Sequence, residues 1–163
     1  MREIKFRGLP IEDFAENGWR ISKDEFVYGN LIVDGCTCFI VNGIVDITET
    51  SFTFEQYVQV RPETVGQLTE RKDKYGKDIW EFDRVRIVRY GGEIDFTALV
   101  MYRYSEFRLL PDGEKGKTVN FKYLSDNFDR SEDMNYTPAC LEVIGHGDAN
   151  DVWDNKPIKK DNE

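Results

Sequence analysis

The residues with the clearest potential for chemistry are three carboxylates, Glu63, Glu81 and Asp83, close to a polar loop in the middle of the chain. Paired carboxylates can act as general acid and base or hold a divalent cation. The chain has 31 acidic residues, so such neighbours are expected by chance. We therefore expect these carboxylates to cap the loop, and a metal-dependent enzyme of unknown type is kept as an alternative.

The segment from Gly113 to Thr118 ends in Gly-Lys-Thr, as a phosphate-binding loop does. Such a loop requires a glycine at position 111, where this chain has Pro111. A turn over Pro-Asp-Gly explains the glycine at 113 without a nucleotide. The pattern favours a turn, and we predict no cofactor.

Three aspartates near the end of the chain, Asp148, Asp151 and Asp154, suggest a calcium loop. An EF-hand would need an oxygen ligand at Val152 and a glycine at Trp153. A solvated acidic turn is the favoured interpretation, and no metal site is predicted.

The single histidine, His146, has no serine or cysteine partner placed by a known nucleophile motif. We expect it to end a strand with its hydrogen bonds satisfied, and no catalytic residue is predicted. Cys36 and Cys38 are expected on one face of a strand, and with Cys140 they lack zinc-site spacing. An odd number of cysteines favours free thiols in a reducing compartment.

The net charge of −9 argues against direct binding to the phosphate backbone of nucleic acids. Residues 71–89 nevertheless contain seven basic and four acidic residues, whereas residues 125–133 are acidic. This bipolar pattern favours self-association, although a solvated face is the alternative. The predicted binding residues are basic and central: Arg71, Lys72, Lys74, Lys77, Arg84 and Arg86.

Alternation of apolar and polar residues predicts a mainly β fold with minor α structure. Residues 4–7 are a predicted strand, and residues 11–20 a loop with a helical turn as an option. Strands over 26–33, 36–41 and 44–47 are predicted to form an antiparallel meander, joined by turns at Asp34-Gly35 and Asn42-Gly43. Residues 48–56 are a helical turn or a loop, and a strand over 57–60 ends at Pro62.

In the second half, strands are predicted over 84–90, 93–104, 117–124 and 139–146, with residues 125–136 either loop or short helix. Four glycines are predicted to serve backbone turns: Gly66, Gly76, Gly91 and Gly92. The predicted divisions are an N-terminal meander over 1–60, a connecting segment over 61–78, an SH3-like small barrel or sheet over 79–157, and a frayed tail over 158–163.

Three separated blocks of the sequence resemble the YopX family of phage and prophage proteins. They are Met1 to Arg7, then Pro62 to Gln67 continued by Lys72 to Glu81, and finally Leu141 to Gly145. The chain departs from the family at Thr69-Glu70-Arg71, where members have Thr-Gly-Leu, at Phe82, where they have glycine, and at His146, where they have asparagine. We expect Phe82 to exclude a positive φ at its position.

The resemblance implies a phage-encoded cytoplasmic protein, mainly β, from a family without an established biochemical activity. The N-terminus lacks the apolar core of a signal peptide, and no run approaches the length of a membrane span. We expect a non-enzymatic, self-associating binding module that acts on an unknown host or phage protein. An acidic decoy that mimics nucleic acid and occupies a host DNA-binding protein is the alternative.

Overall fold

A computed structural model describes residues 4–16, 19–89, 94–113, 118–120 and 139–150. This part of the chain is built from antiparallel strands and one 3-10 helix, Pro62–Thr64, so the predicted mainly β class is confirmed. The strands are β1 (Phe6–Gly8), β2 (Phe14–Glu16), β3 (Trp19–Ile21), β4 (Val27–Asp34), β5 (Thr37–Ile47), β6 (Phe52–Val60), β7 (Gly66–Lys72), β8 (Asp78–Trp80), β9 (Asp83–Arg89), β10 (Ile94–Arg103), β11 (Glu106–Pro111), β12 (Val119–Asn120) and β13 (Ala139–His146).

The chain divides into two compact units, Met1–Leu68 and Thr69–Glu163. The division falls within β7, inside the predicted connecting segment 61–78. Among the described residues, no helix is long and apolar enough to cross a membrane.

The first unit is an antiparallel sheet in the order β6-β5-β4-β1, and β1 also pairs with the first residues of β7. Opposite residues of an antiparallel pair point to the same face, so the pairs Leu31–Ile40 and Ile40–Val58 define its core face. The buried cluster on that face contains Ile21, Cys38, Ile40, Val58 and Val60.

The chain after β1 crosses to the far end of the same sheet and pairs with the end of β6. Pro10 forms a bridge with Val60, and the Ile11 N–H donates to the Gln59 carbonyl over 3.1 Å. The Arg61 N–H donates to the Leu9 carbonyl over 2.8 Å. The outer edge of β6 is therefore occupied at its C-terminal end.

Several predictions for the first unit were wrong. The segment 11–20 is not a loop, because β2 and β3 pair as a hairpin on either side of Asn17-Gly18, which lie outside the described residues. Nor does the chain turn back at Asn42-Gly43: β5 runs through both residues and carries a bulge between Ile44 and Asp46. Gly43 has a φ of 61°, so the positive φ that Asn-Gly favours serves an irregular strand here.

The meander itself is formed by β4, β5 and β6. Its first turn is at Gly35 and Cys36, because Asp34 pairs with Thr37, one residue later than predicted. Its second turn is Thr48 to Ser51, where the Thr48 N–H donates to the Ser51 carbonyl over 2.8 Å. The prediction of a helical turn or loop for 48–56 was therefore wrong beyond residue 51, since β6 begins at Phe52.

The second unit contains a five-stranded antiparallel sheet in the order β12-β11-β10-β9-β13. The strict alternation in β9 buries Val85 and Ile87 on one face. They pack with Ile79, Ala98, Val100, Leu109 and Leu141. A smaller cluster of Leu99, Met101 and Leu110 is also buried. Closure of this sheet into an SH3-like barrel stays a prediction.

Predicted strands over 84–90, 93–104 and 139–146 correspond to β9, β10 and β13. The prediction for 93–104 was wrong at its end, because Tyr104 and Ser105 form the turn between Arg103 and Glu106. Both have positive φ, 55° and 63°, without being glycine or asparagine. Of the predicted strand 117–124, residues 118–120 are described, and Val119–Asn120 form β12. Residues 125–136 lie outside the described residues.

Candidate functional site

The predicted basic residues lie on three consecutive parts of the second unit. Arg71 and Lys72 end β7, Lys74 and Lys77 belong to the turn before β8, and Arg84 and Arg86 lie on β9. Lys72, Lys74, Arg84 and Arg86 each lie against a carboxylate. These ion pairs decide whether residues 71–86 can act as a basic surface.

Two of these lysines form ion pairs around the turn. The ammonium Nζ of Lys72 lies 2.6 Å from Oδ1 of Asp78. Lys74 Nζ lies 2.9 Å from Oε2 of Glu142 on β13, and Arg86 Nη1 lies 3.7 Å from the same oxygen. The hydrogen bond to Glu142 raises the pKa of Lys74, as does a contact with Tyr75. Glu142 thus joins two cations that are separated in sequence.

Arg84 forms a more buried pair on the same strand. Its Nη1 donates to Oδ1 of Asp112 over 2.8 Å, and each side chain is only 12% exposed. The other oxygen of Asp112 accepts from the Thr97 hydroxyl over 2.5 Å. The positive charges at Lys72, Lys74, Arg84 and Arg86 all face carboxylates, so these four side chains do not form an open basic surface.

Asp73 organises the turn that carries Lys74 and Lys77. It is buried, and its Oδ1 accepts from the N–H groups of Tyr75 and Lys77 over 2.8 and 2.9 Å. Its own N–H donates to the Lys77 carbonyl over 2.8 Å. Gly76 in this turn has a φ of 83°, which confirms its predicted use in a turn. Gly66 was predicted at a turn but is the first residue of β7, paired with Arg7.

The turn Trp80 to Asp83 is strained at one residue and held by the strands around it. Phe82 has a φ of 64°, so the expectation that Phe82 excludes a positive φ was wrong. Its N–H donates to the Val100 carbonyl over 2.8 Å, and its carbonyl accepts from the Gly147 N–H over 2.7 Å. These two hydrogen bonds fix the peptide groups on both sides and offset the steric cost of the left-handed conformation.

The carboxylate of Asp83, which is fully buried, closes this turn and reaches β13. Its Oδ2 accepts from the Trp80 N–H over 2.9 Å, and its Oδ1 lies 2.6 Å from Nδ1 of His146. A carboxylate can only accept, so Nδ1 of His146 carries the proton of this bond. The side chain of His146 is 39% exposed. The expected hydrogen-bonded strand end is therefore present.

The three carboxylates considered for catalysis have different settings. Glu63 lies in the 3-10 helix of the first unit, whereas Glu81 and Asp83 belong to the second. Glu81 accepts from the Tyr102 N–H over 3.0 Å. Glu81 and Asp83 each accept from a backbone N–H, but of Tyr102 and Trp80 and not of the polar loop that they were expected to cap. The N–H groups of that loop are bound by Asp73 instead.

The other candidate ligands do not converge on a site. Within the described ranges, no group of three or more His, Cys, Asp or Glu side chains could hold a metal ion. Cys36 is exposed and precedes β5, while Cys38 is buried within it, so the expectation that both cysteines lie on one strand was wrong. The side chain of Cys140, the residues 114–117, Gly91, Gly92, Asp151 and Asp154 lie outside the described residues.

Exposed apolar side chains mark the outer face of the first sheet, which is the face opposite its core. Tyr28, Ile32 and Tyr57 point to it, because they alternate with the core residues of β4 and β6. They are 50%, 37% and 67% exposed. Sequence reasoning missed this surface. The run Leu31-Ile32-Val33 could have indicated it, because three consecutive apolar residues place apolar side chains on both faces of β4.

The outer edge of β6 is a second feature that the sequence did not reveal. β6 ends the strand order of its sheet, and only its C-terminal end meets the Leu9–Ile11 segment. Exposed strand edges and exposed apolar side chains are the usual elements of a protein interaction surface. These two features, and not the basic stretch, are the strongest candidate for a functional surface in the described part of the chain.

No family model, no curated protein and no solved structure matches this chain.

Proposed function

We propose that this protein is a non-enzymatic, phage-encoded accessory protein of the YopX type, a β-rich module that self-associates and binds a host or phage protein. Its sequence supports the assignment through the three blocks that resemble the family. The observation that carries the binding function is the exposed apolar character of the outer face, at Tyr28, Ile32 and Tyr57. Soluble proteins use such surfaces for protein partners more often than for small molecules.

The neutralised basic stretch supports this choice of surface. Lys72, Lys74, Arg84 and Arg86 each lie within 4 Å of a carboxylate oxygen. Recruiting them for an external anion would require breaking these ion pairs. A partner that docks on the outer face needs no such rearrangement.

Affinity capture with matched baits tests the proposal. The wild-type protein and an Ile32→Lys variant are immobilised at equal density, together with a Lys77→Glu variant as the control from the basic stretch. We expect a specific host or phage protein to bind the wild type and Lys77→Glu, and to be lost with Ile32→Lys. Retention by Ile32→Lys and loss with Lys77→Glu would contradict the choice of surface.

The acidic decoy remains the second candidate because of one observation. The net charge is −9, and ion pairs between side chains do not change this excess of negative charge. A decoy competes with DNA for its partner, so the captured protein should lose DNA binding in a titration with this protein. A captured protein that keeps its DNA affinity, or does not bind DNA, would remove this candidate.

A further inference from the structure

In the strand order of the described residues, β13 ends its five-stranded sheet, and β9 pairs with one of its two sides. Alternate residues of an antiparallel strand direct both N–H and C=O to the same side. The Leu141 carbonyl accepts from the Lys74 N–H over 2.9 Å. The Val143 N–H donates to Oδ2 of Asp73 over 3.4 Å. Leu141 and Val143 therefore direct their backbone groups away from β9, and the turn 73–77 bonds to this outer edge.

The two bonds reproduce, with a single residue, the pattern of a neighbouring strand. In a parallel pair, a residue donates its N–H to the carbonyl before the residue that it faces, and its own carbonyl accepts from the N–H after that residue. Lys74 supplies the first bond, to the carbonyl that precedes Glu142. The second bond, from the N–H that follows Glu142, is accepted by the carboxylate of Asp73. Lys74 thus lies opposite Glu142 as a strand residue would.

The side chains follow the same register. Glu142 and Arg86 are direct partners on β13 and β9. Oε2 of Glu142 lies 2.9 Å from Nζ of Lys74 and 3.7 Å from Nη1 of Arg86. The row Lys74–Glu142–Arg86 therefore alternates in charge across the turn and two strands, as favourable cross-strand rows of a sheet do.

The carboxylate of Asp73 holds the turn together and also fixes it to the edge. Its Oδ1 accepts from the N–H groups of Tyr75 and Lys77, while its Oδ2 reaches β13. The Gly76 N–H donates to the Asp73 carbonyl over 2.9 Å, which closes a β-turn with Lys74 as its second residue. The conformation that brings Asp73 and Lys74 to the edge is therefore set within the turn itself.

We propose that the turn 73–77, here called the edge guard, keeps β13 from pairing with a strand of another chain. Exposed strand edges tend to add further strands, and native proteins often cover such edges with a loop. The edge guard occupies the acceptor of Leu141 and the donor of Val143, which an added strand would use at this position. This inference concerns the second unit and does not depend on the binding surface proposed for the first.

Lys74→Pro opens the edge guard with little change to the turn. Proline has no N–H, so the bond to the Leu141 carbonyl is lost, and the second position of a β-turn is favourable for proline. Lys74→Ala is the matched control, because it also removes the ammonium group but keeps the N–H. We expect the Val143 amide to exchange roughly 10-fold faster in Lys74→Pro than in Lys74→Ala, as measured by NMR in deuterated water.

Sedimentation velocity tests the guarding role itself. Lys74→Pro should show a weight-average mass that rises with concentration above the masses of the wild type and Lys74→Ala. Adding Val143→Pro should return the mass to the wild-type value, because this change removes an outward donor that an added strand needs and β9 does not use. Suppression by Val143→Pro would identify β13 as the surface through which Lys74→Pro associates.

Each result bears on a different step of the proposal. Equal exchange of Val143 in Lys74→Pro and Lys74→Ala overturns the docking of the turn. Fast exchange without a rise in mass overturns the guarding role, and association that persists with Val143→Pro overturns the assignment to β13.

A second variant applies if Lys74→Pro loses the native circular dichroism spectrum. Asp73→Asn keeps a carbonyl oxygen that can accept from Tyr75 and Lys77, but it places an NH2 group against the Val143 N–H. It should therefore show faster exchange of Val143 and a higher mass than the wild type. Exchange and mass equal to those of the wild type would overturn the proposal.

Discussion

Asp83 and His146 are joined by a 2.6 Å contact between Oδ1 and Nδ1, across 63 residues of sequence. They also pair as backbone neighbours of β9 and β13. Because the second oxygen of Asp83 holds the Trp80 N–H, one buried carboxylate ties the turn before β9 to β13. This relationship gives the second unit a polar anchor beside its apolar core.

Loss of that anchor should be costly. Asp83→Ala leaves the buried Trp80 N–H without its acceptor and removes the bond to the partly exposed His146 ring, so we expect the free energy of unfolding to fall by about 3 kcal/mol. Asp83→Asn keeps one acceptor and should cost about 2 kcal/mol. Urea denaturation followed by circular dichroism measures both. Asp34→Asn, at an exposed turn, is the control and should change stability by less than about 0.5 kcal/mol. Equal stability of Asp83→Asn and wild type would contradict the anchor.

The backbone at Phe82 leads to an unusual order of stability. At most strand or turn positions with negative φ, alanine is more stable than glycine. With a φ of 64° at position 82, the order should reverse. Phe82→Gly is therefore expected to be more stable than Phe82→Ala by about 1 kcal/mol, since both remove the ring and only glycine relieves the strain. A calorimetric comparison that finds alanine equal or better would exclude the positive φ.

Gly76 allows the same effect to be measured without loss of a side chain. A Cβ added at Gly76 or at Gly145 meets no atom within 4 Å, but only Gly76 has a positive φ. Gly76→Ala should destabilise the protein by about 1 kcal/mol, and Gly145→Ala should be close to neutral. Chemical denaturation of the two variants in parallel provides the matched comparison. A similar loss at both positions would point to a steric cause.

The Lys74–Glu142 pair should contribute modestly and depend on pH. The pKa of Lys74 is raised above its ordinary value of 10.5, chiefly by the hydrogen bond to Glu142. A raised lysine pKa means that its contribution is complete below pH 10.5 and is lost as pH rises through the pKa of the folded state. Glu142→Gln should therefore lower stability slightly at pH 8. The difference from wild type should shrink above pH 10.5 and in 1 M salt.

Thermal denaturation across pH measures this difference, with Glu49→Gln in the exposed turn before β6 as the control. A difference that grows at alkaline pH would contradict the assigned role of Lys74.

Sequence periodicity was a sound guide to strands whose two faces differ. β9 alternates arginine with valine and isoleucine, and its buried face follows directly. The wrong predictions arose where turns use unusual residues. Tyr104 and Ser105 adopt positive φ without glycine or asparagine, and the Asn42-Gly43 pair serves a bulged strand instead of a turn. Local composition does not decide between these uses, because the choice depends on which neighbouring strand is available.

The candidate surfaces depended on pairing, which the sequence alone could not supply. The basic stretch is evident from composition, but its neutralisation requires Glu142 on β13 and Asp112 after β11. The open edge of β6 follows from the strand order, since nothing in Phe52–Val60 by itself tells an edge strand from a central one. The acceptor role of Asp83 also depended on the fold, because its carboxylate holds the Trp80 N–H and the His146 ring and not the polar loop near which the sequence placed it.

The chain has one histidine, and that histidine bonds to a fully buried carboxylate. Its imidazole resonances in an NMR spectrum therefore need no assignment by mutagenesis. Their chemical shifts report directly on whether β13 is docked on β9. A single pair of peaks can follow the second unit through denaturant, partner binding or substitution in the first unit, and so reveals whether the two units unfold together or one after the other.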